Sequence, residues 1–332
     1  MEVLKDDITL AVNSIKSGNI VIFPTETVYG LGGNALDINC VDKIFKAKNR
    51  PNNNPLIVHL SDKRDIEKYA YIENDIERKL IDSFMPGPFT IILKKKDIIP
   101  SNVVCSMDTV GIRIPSNKIA NKFIKECNLP IAAPSANLST KPSGTNVEDI
   151  FLEFKDTVDY IIDGGESTVG LESTVVKVIN DIPTILRPGF ITKEDIELLG
   201  FKCNISNGVL NKLDNNSKVE SPGMIYKHYA PKSKCLLVYS KNNNTLIDLI
   251  ESNKTNKTLI IGSSKLKNIN CFKYLYYGDS LIEIAHNIFK LLRESDKYNP
   301  DLIIIEGVET KNLGLAIMNR LLRSCAFNYI EK

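Results

Sequence analysis

Ile20-Val21-Ile22-Phe23-Pro24-Thr25-Glu26-Thr27-Val28-Tyr29-Gly30-Leu31-Gly32-Gly33-Asn34-Ala35 is the stretch on which the reading of the fold turns. Gly30 to Ala35 matches G-x-G-x-x-A, the dinucleotide fingerprint. That fingerprint works only when a strand runs straight into the glycines and a helix opens on them. Here the short buried-strand run Ile20–Phe23 stops at Pro24, the residues Pro24 to Tyr29 intervene, and Asp37-Ile38-Asn39 delays the next helix. The glycines are expected instead to let a loop approach a ligand closely. The segment before them packs two hydroxyls, a carboxylate and a phenol together, which suits either a polar surface turn or a binding loop.

Outward from this segment, apolar periodicity predicts helices over 7–17, 40–48, 62–82, 117–127, 146–154 and 192–199. Strands are expected at 56–60, 89–94, 109–114, 158–162, 173–179 and 183–187. Residues 204–220 lose periodicity and fill with Asn, Ser, Lys and Gly, which marks a linker. The aromatic-rich run 221–231 after it is expected to act as a lid. Strands at 236–239, 258–261 and 302–305 then alternate with helices near 245–252, 280–294 and 313–325, an open α/β pattern. The expected organisation is thus a first domain over 1–203, a linker or lid over 204–233, and a second domain over 234–332.

A formal net charge of +2 is too small for a general nucleic-acid or membrane-surface binder. No stretch reaches the roughly 18 apolar residues of a membrane helix, and Met1 to Asp7 lacks a signal-peptide apolar core. The 7 cysteines are scattered with no C-x-x-C pair, as expected of reduced thiols in a cytoplasmic protein. The 3 histidines have no zinc-ligand spacing. P-loop, H-E-x-x-H and G-x-S-x-G motifs do not occur.

Several segments could carry chemistry. Phe45-Lys46-Ala47-Lys48-Asn49-Arg50-Pro51 gathers cations at a helix end, where they suit the helix dipole and need not be buried, or meet phosphates. Ala133-Pro134-Ser135-Ala136-Asn137 combines small residues with directed hydrogen-bonding groups. Arg113 and Arg187 each stand in an otherwise apolar strand, and a buried guanidinium without an anion is expensive. His59 is either a substrate-facing group or a strand histidine with a structural hydrogen bond.

Taken in order, Pro24–Leu31, Lys48-Asn49-Arg50-Pro51, Asn54–His59, Pro86-Gly87-Pro88-Phe89-Thr90, Ala133–Asn137, Gly170-Leu171-Glu172-Ser173-Thr174, Leu186–Gly189, Ser221-Pro222-Gly223-Met224 and Gly314–Leu321 resemble the YrdC-type family. The match spans nearly the whole chain and looks like the two-domain threonylcarbamoyl-AMP synthases. The resemblance implies an α/β protein. Its first domain would be a twisted mixed or antiparallel sheet, with helices around a deep basic cavity. A smaller Rossmann-like second domain would follow. It implies synthesis of threonylcarbamoyladenylate from ATP, L-threonine and bicarbonate, with Mg²⁺ carried on the ATP phosphates rather than on a protein metal site.

By the same resemblance, threonine contacts fall to Thr27, His59, Arg113, Ala133 and Ser173. ATP contacts fall to Lys48, Arg50, Asn54, Thr109, Ser135, Asn137, Ser143, Arg187 and Tyr226, with Lys48 and Arg50 also catalytic. The product would pass to tRNA threonylcarbamoyl-transfer machinery, with tRNA bound weakly or indirectly and no membrane partner. A carbamoyl-adenylate-forming enzyme and an RNA-binding module remain the competing readings.

Overall fold

The computed structural model describes residues 1–211 and 229–332. They divide into two compact units. The first holds the described residues up to 211, except that Thr140–Pro142 group with 229–332 in the second. Tyr226 and positions 221–228 of the expected lid lie outside the described residues.

The first unit is built on one mixed sheet. Its strands are β1 (Glu2–Leu4), β2 (Val21–Phe23), β3 (Gly30–Asn34), β4 (Ile57–His59), β5 (Ala70–Tyr71), β6 (Phe89–Lys95), β7 (Thr109–Arg113), β8 (Ile131–Ala133), β9 (Tyr160–Ile162), β10 (Thr174–Ile179), β11 (Ile182–Arg187) and β12 (Asn204–Ile205). Their order is β1-β9-β2-β3-β8-β4-β7-β6-β10-β11-β12, with β5 added on β6. The short central strand β4 is buried at every residue, with β8 antiparallel on one side and β7 parallel on the other. A strand covered on both faces reads as a continuous apolar run, and Leu56 to Val58 does. His59, with 4% exposure, is the polar exception at the end of the strand.

Two expectations are corrected here. Gly30–Asn34 is a strand, antiparallel to β2, rather than a ligand-facing loop. A Cβ on Gly32 would lie 2.7 Å from both the Phe23 ring and Ile131, and one on Gly33 would lie 2.5 Å from the Cys40 sulfur. These glycines therefore make room for neighbouring core side chains. The single helix expected over 62–82 is broken: a helix at Ile66–Tyr69 ends on β5, and a second begins at Asp75. Asn74 caps it by accepting from the Glu77 amide at 2.9 Å. The start of the expected linker is also ordered, since β12 pairs with β11 and Val209 is buried.

Helix Ile38–Lys48 starts on Asp37, whose carboxylate accepts from the Asn39 and Cys40 amides, and ends on Asn49 in the left-handed conformation. Its buried face carries Cys40, Val41, Ile44 and Phe45. Lys48 lies three and four positions beyond the last two, on that same face.

The second unit is an open parallel sheet of β13 (Lys234–Tyr239), β14 (Thr258–Gly262), β15 (Lys273–Tyr276), β16 (Leu302–Glu306) and β17 (Tyr329–Glu331), in the order β15-β14-β16-β13-β17. Helices Asn243–Asn253, Leu281–Ser295 and Leu313–Ser324 connect the strands. The edge strands β15 and β17 escaped the sequence reading. Tyr229, at the end of the expected lid, is buried and stacks on Phe289 of this unit with ring centroids 4.9 Å apart.

Candidate functional site

The loop between β2 and β3 is the hub of the first unit. Thr25, Glu26 and Thr27 are all buried, so this is not a polar surface turn. The Thr25 hydroxyl donates to the Val28 carbonyl at 2.6 Å and lies 2.8 Å from that of Thr27. Since Thr25 has one hydroxyl proton, Thr27 donates in that pair and its oxygen keeps acceptor capacity. The loop is tied on two further sides. The Val169 and Gly170 amides donate to the Glu26 and Thr27 carbonyls, and the Tyr29 amide donates to the Gly144 carbonyl.

Glu26 reaches across to Arg113 at the end of β7, with Nη2 to Oε1 at 2.7 Å. Sequence reading required an anion for Arg113, and the fold supplies one internally. The Arg113 Nε is buried and has no hydrogen-bond partner among the described residues. The β4–β7 register sets His59 beside Arg113, and β8 brings Ile131 to its other side. The His59 Nδ1 lies 3.2 Å from the Ile57 carbonyl, and the Phe23 ring meets the imidazole edge-on at 5.9 Å. Burial first, and then the Arg113 charge, push the imidazolium down to about 3, so the ring is neutral at physiological pH.

A second group forms where β6, β10 and β11 meet. The Ser173 hydroxyl sits 2.8 Å from that of Thr90, and Arg187 donates to the Ser173 carbonyl from Nε at 3.1 Å and to its hydroxyl from Nη2 at 3.0 Å. Ser143 donates to Glu172 at 2.7 Å, which links the Gly144 segment to Ser173.

Lys48 is only 1% exposed, and its ammonium donates to the carbonyls of Ser135 and Asn137. The expectation that this lysine need not be buried is therefore corrected. Its place on the Ile44–Phe45 face carries it inward. The Ser135 hydroxyl donates to Asn137 Oδ1. The whole turn is held to β3, since the Leu31 amide donates to the Pro134 carbonyl and the Ala136 amide to the Tyr29 carbonyl. Ala133, at the end of β8, sits at the base of this turn. Arg50 is half-buried and folds back on the Asn54 and Pro55 carbonyls, both at 3.1 Å. The Asn54 side-chain oxygen is buried without a partner among the described residues.

His59 and Arg113 lie at the ends of β4 and β7, with Thr27 next to the Glu26 that meets Arg113, whereas Ala133, Ser135 and Asn137 follow the end of the antiparallel β8, where Ala133 pairs with Ile57. Ser143, Ser173 and Arg187 join them through the 143–145 and 167–173 segments. Thr109 lies at the other end of β7, toward which Gly111 pairs with Ile57 and Ile57 with Ala133, the side from which Ser135 and Asn137 follow. It opens β7 while Arg113 closes it, about 13 Å away along the strand. Sequence reasoning gave no role to Glu26, Glu172 or Thr90. The available signal was a carboxylate or hydroxyl inside a motif rich in buried small residues.

Residues 13–189 match the Sua5, YciO and YrdC family model, described as telomere recombination. Residues 191–326 match the threonylcarbamoyl-AMP synthase C-terminal domain. The chain is 41% identical to the threonylcarbamoyl-AMP synthase of Pyrococcus abyssi, over 98% of this chain and 95% of that protein. It is 37% identical to the Bacillus subtilis enzyme of the same name, over 98% and 94%. A crystal structure of P. abyssi Sua5 complexed with L-threonine superimposes with a TM-score of 0.92 at 39% identity, covering 99% of this chain and 98% of that one. Fold and relatives define an ATP-using, adenylyl-transferring enzyme. More narrowly, the chain belongs to the two-domain threonylcarbamoyl-AMP synthase family.

Proposed function

We propose that the first unit makes threonylcarbamoyladenylate at this cluster, from L-threonine, bicarbonate and ATP with loss of pyrophosphate. The adenylate is the activated intermediate for threonylcarbamoyladenosine in tRNA. The observation that carries the assignment of the site is a buried guanidinium beside a neutral imidazole. Arg113 has one face on Glu26 and a free Nε, and His59 adds no charge to repel a substrate ammonium. A threonine carboxylate would complete Arg113, and the Thr27 oxygen would accept from the amine. The His59 ring, the Ala133 backbone and the Ser173 hydroxyl would close around the rest.

The reaction brings three anions together, and Coulomb repulsion in a water-poor site must be met by fixed positive charge. Lys48, Arg50 and Arg187 would face the ATP phosphates. Asn54, Thr109, Ser135, Asn137, Ser143 and Tyr226 would orient the nucleotide. The threonine amine attacks the bicarbonate carbon and water leaves, giving N-carboxythreonine, whose carboxylate attacks the α-phosphorus as pyrophosphate departs. No side chain need act as nucleophile, and catalysis rests on positioning and charge stabilisation. Mg²⁺ would enter with ATP on its phosphates, in keeping with a cation that takes one or two carboxylates at most. The product would pass to the tRNA-modifying machinery in the cytoplasm, with weak or indirect tRNA contact.

The test is pyrophosphate release by the full chain, measured with each substrate omitted in turn. The expected result is strict dependence on threonine and bicarbonate. Equal release without an amino acid would overturn the proposal.

A further inference from the structure

In the second unit the chain leaves β14 toward β15 at one edge of the sheet and leaves β16 toward β17 at the other. Adjacent parallel strands whose onward connections diverge open a crevice at their carboxyl ends, where ligands of open α/β sheets bind. A crevice lies there, lined by Ser240 and Lys241 after β13, Ser263 after β14, and Glu306 and Val308 at the end of β16.

Three of these groups are incompletely used by the fold. Ser263 is 6% exposed, and its hydroxyl has no hydrogen-bond partner among the described residues. The Val308 amide donates to the Met318 sulfur at 3.3 Å, a weak acceptor. Glu306 is 7% exposed and accepts from the Ser263 amide at 2.6 Å. It also meets the buried Tyr277 hydroxyl. A carboxylate has about four lone-pair sites, so acceptor capacity remains.

We propose that this crevice binds a nucleoside or nucleoside monophosphate, with Glu306 and Ser263 holding the vicinal hydroxyls of its ribose. A carboxylate at the end of a parallel strand is the group that reads a ribose diol in such sheets. The charge balance sets the limit on phosphates. Lys241 and Lys265 line the crevice together with Asp279, Glu306 and Glu309, and Lys241 is already paired with Glu309 at 3.5 Å. Acids outnumber lysines, which disfavours a triphosphate. This site is separate from the ATP-using cluster of the first unit.

Hydrogen exchange of the full chain tests the proposal, with AMP, adenosine and 2′-deoxyadenosine as probes. AMP and adenosine should slow exchange in segments 240–246, 263–266 and 306–309, and 2′-deoxyadenosine should do so much less. Ser263→Ala and Glu306→Gln should each weaken that protection about tenfold in apparent affinity. Ser263→Ala removes a hydroxyl that the fold leaves unpaired, so its thermal midpoint should stay near that of the parent, and it carries the test if Glu306→Gln fails to fold. Protection confined to residues 1–211, equal protection by the deoxynucleoside, or parental affinity in Ser263→Ala would overturn the assignment.

Discussion

Arg113 and Glu26 are 87 positions apart in the chain and 2.7 Å apart in space, each with under a tenth of its side chain exposed. Breaking such a pair from one side leaves a buried charge without compensation, at about 3–5 kcal/mol. Glu26→Ala should therefore lower the thermal midpoint sharply, and Glu26→Gln less so. If the threonine carboxylate docks on Arg113, added threonine should raise the midpoint of Glu26→Ala more than that of the parent. Identical threonine shifts in both would remove Arg113 from the threonine site. Arg113→Ala should weaken threonine binding by about 2–4 kcal/mol in calorimetry.

Lys48 and Arg50 are two residues apart but differ in kind. Lys48 is buried on two carbonyls, whereas Arg50 is half-buried on the Asn54 and Pro55 carbonyls. Lys48→Ala takes a buried ammonium away from both carbonyls, of which that of Ser135 also accepts from the Asn137 amide, and should cost about 2–4 kcal/mol of stability along with turnover. Arg50→Ala should cost about 1 kcal/mol or less and act mainly on turnover. Urea midpoints measured beside kcat separate the two; equal stability losses would mean that Lys48 is not held as described.

His59 gives the fold a defined response to acid. Its folded value of about 3 lies below its ordinary 6.5. Below about pH 6.5 the unfolded chain takes up a proton that the folded chain refuses. Stability from this group is complete above that pH and falls by up to about 1.4 kcal/mol per pH unit until the folded value is reached. His59→Gln should flatten the dependence of unfolding free energy on pH between about 6 and 4 by close to one proton. An unchanged slope would show that His59 titrates normally.

Gly32→Ala and Gly33→Ala distinguish packing from ligand approach. The added methyl meets Phe23 and Ile131 in one case and Cys40 in the other. Overpacking of this sort costs about 1–3 kcal/mol. Denaturation midpoints should fall while the Michaelis constant for ATP stays near the parental value in whatever fraction folds. A raised constant at full stability would return these glycines to a ligand-facing role.

Of the inner strands, β2, β4, β6 and β7 were legible as short apolar runs, with proline at one end as at 20–23 and 56–60, whereas β8 was missed because Ile131–Ala133 is only three residues long. The helix expected over 40–48 is Ile38–Lys48, and its caps Asp37 and Asn49 were not part of that reading. β3 was hidden because its glycines carry no alternating pattern, and only the neighbours Phe23 and Cys40 explain them. The break between Ile66 and Phe84 was hidden because apolar spacing continues through Ala70–Ile72, where pairing with β6 prevails over local preference. At the site, the motif residues could be named, but their partners could not. Glu26 meets Arg113 and Glu172 meets Ser143 through the topology of distant strands, which no local spacing encodes.

The place of β1 has a consequence for synthesis. Its partner is β9, with Glu2 opposite Tyr160, and β2 also lies against β9. At about 5–20 residues per second, a growing chain has β1 and the outer edge of β2 for roughly 8–30 s before β9 emerges from the ribosome. Throughout that interval Val21 and Ile22 present an unpaired apolar strand edge, a template for wrong association. Nascent chains stalled before residue 160 should therefore recruit holding chaperones, and chains stalled well beyond it should release them.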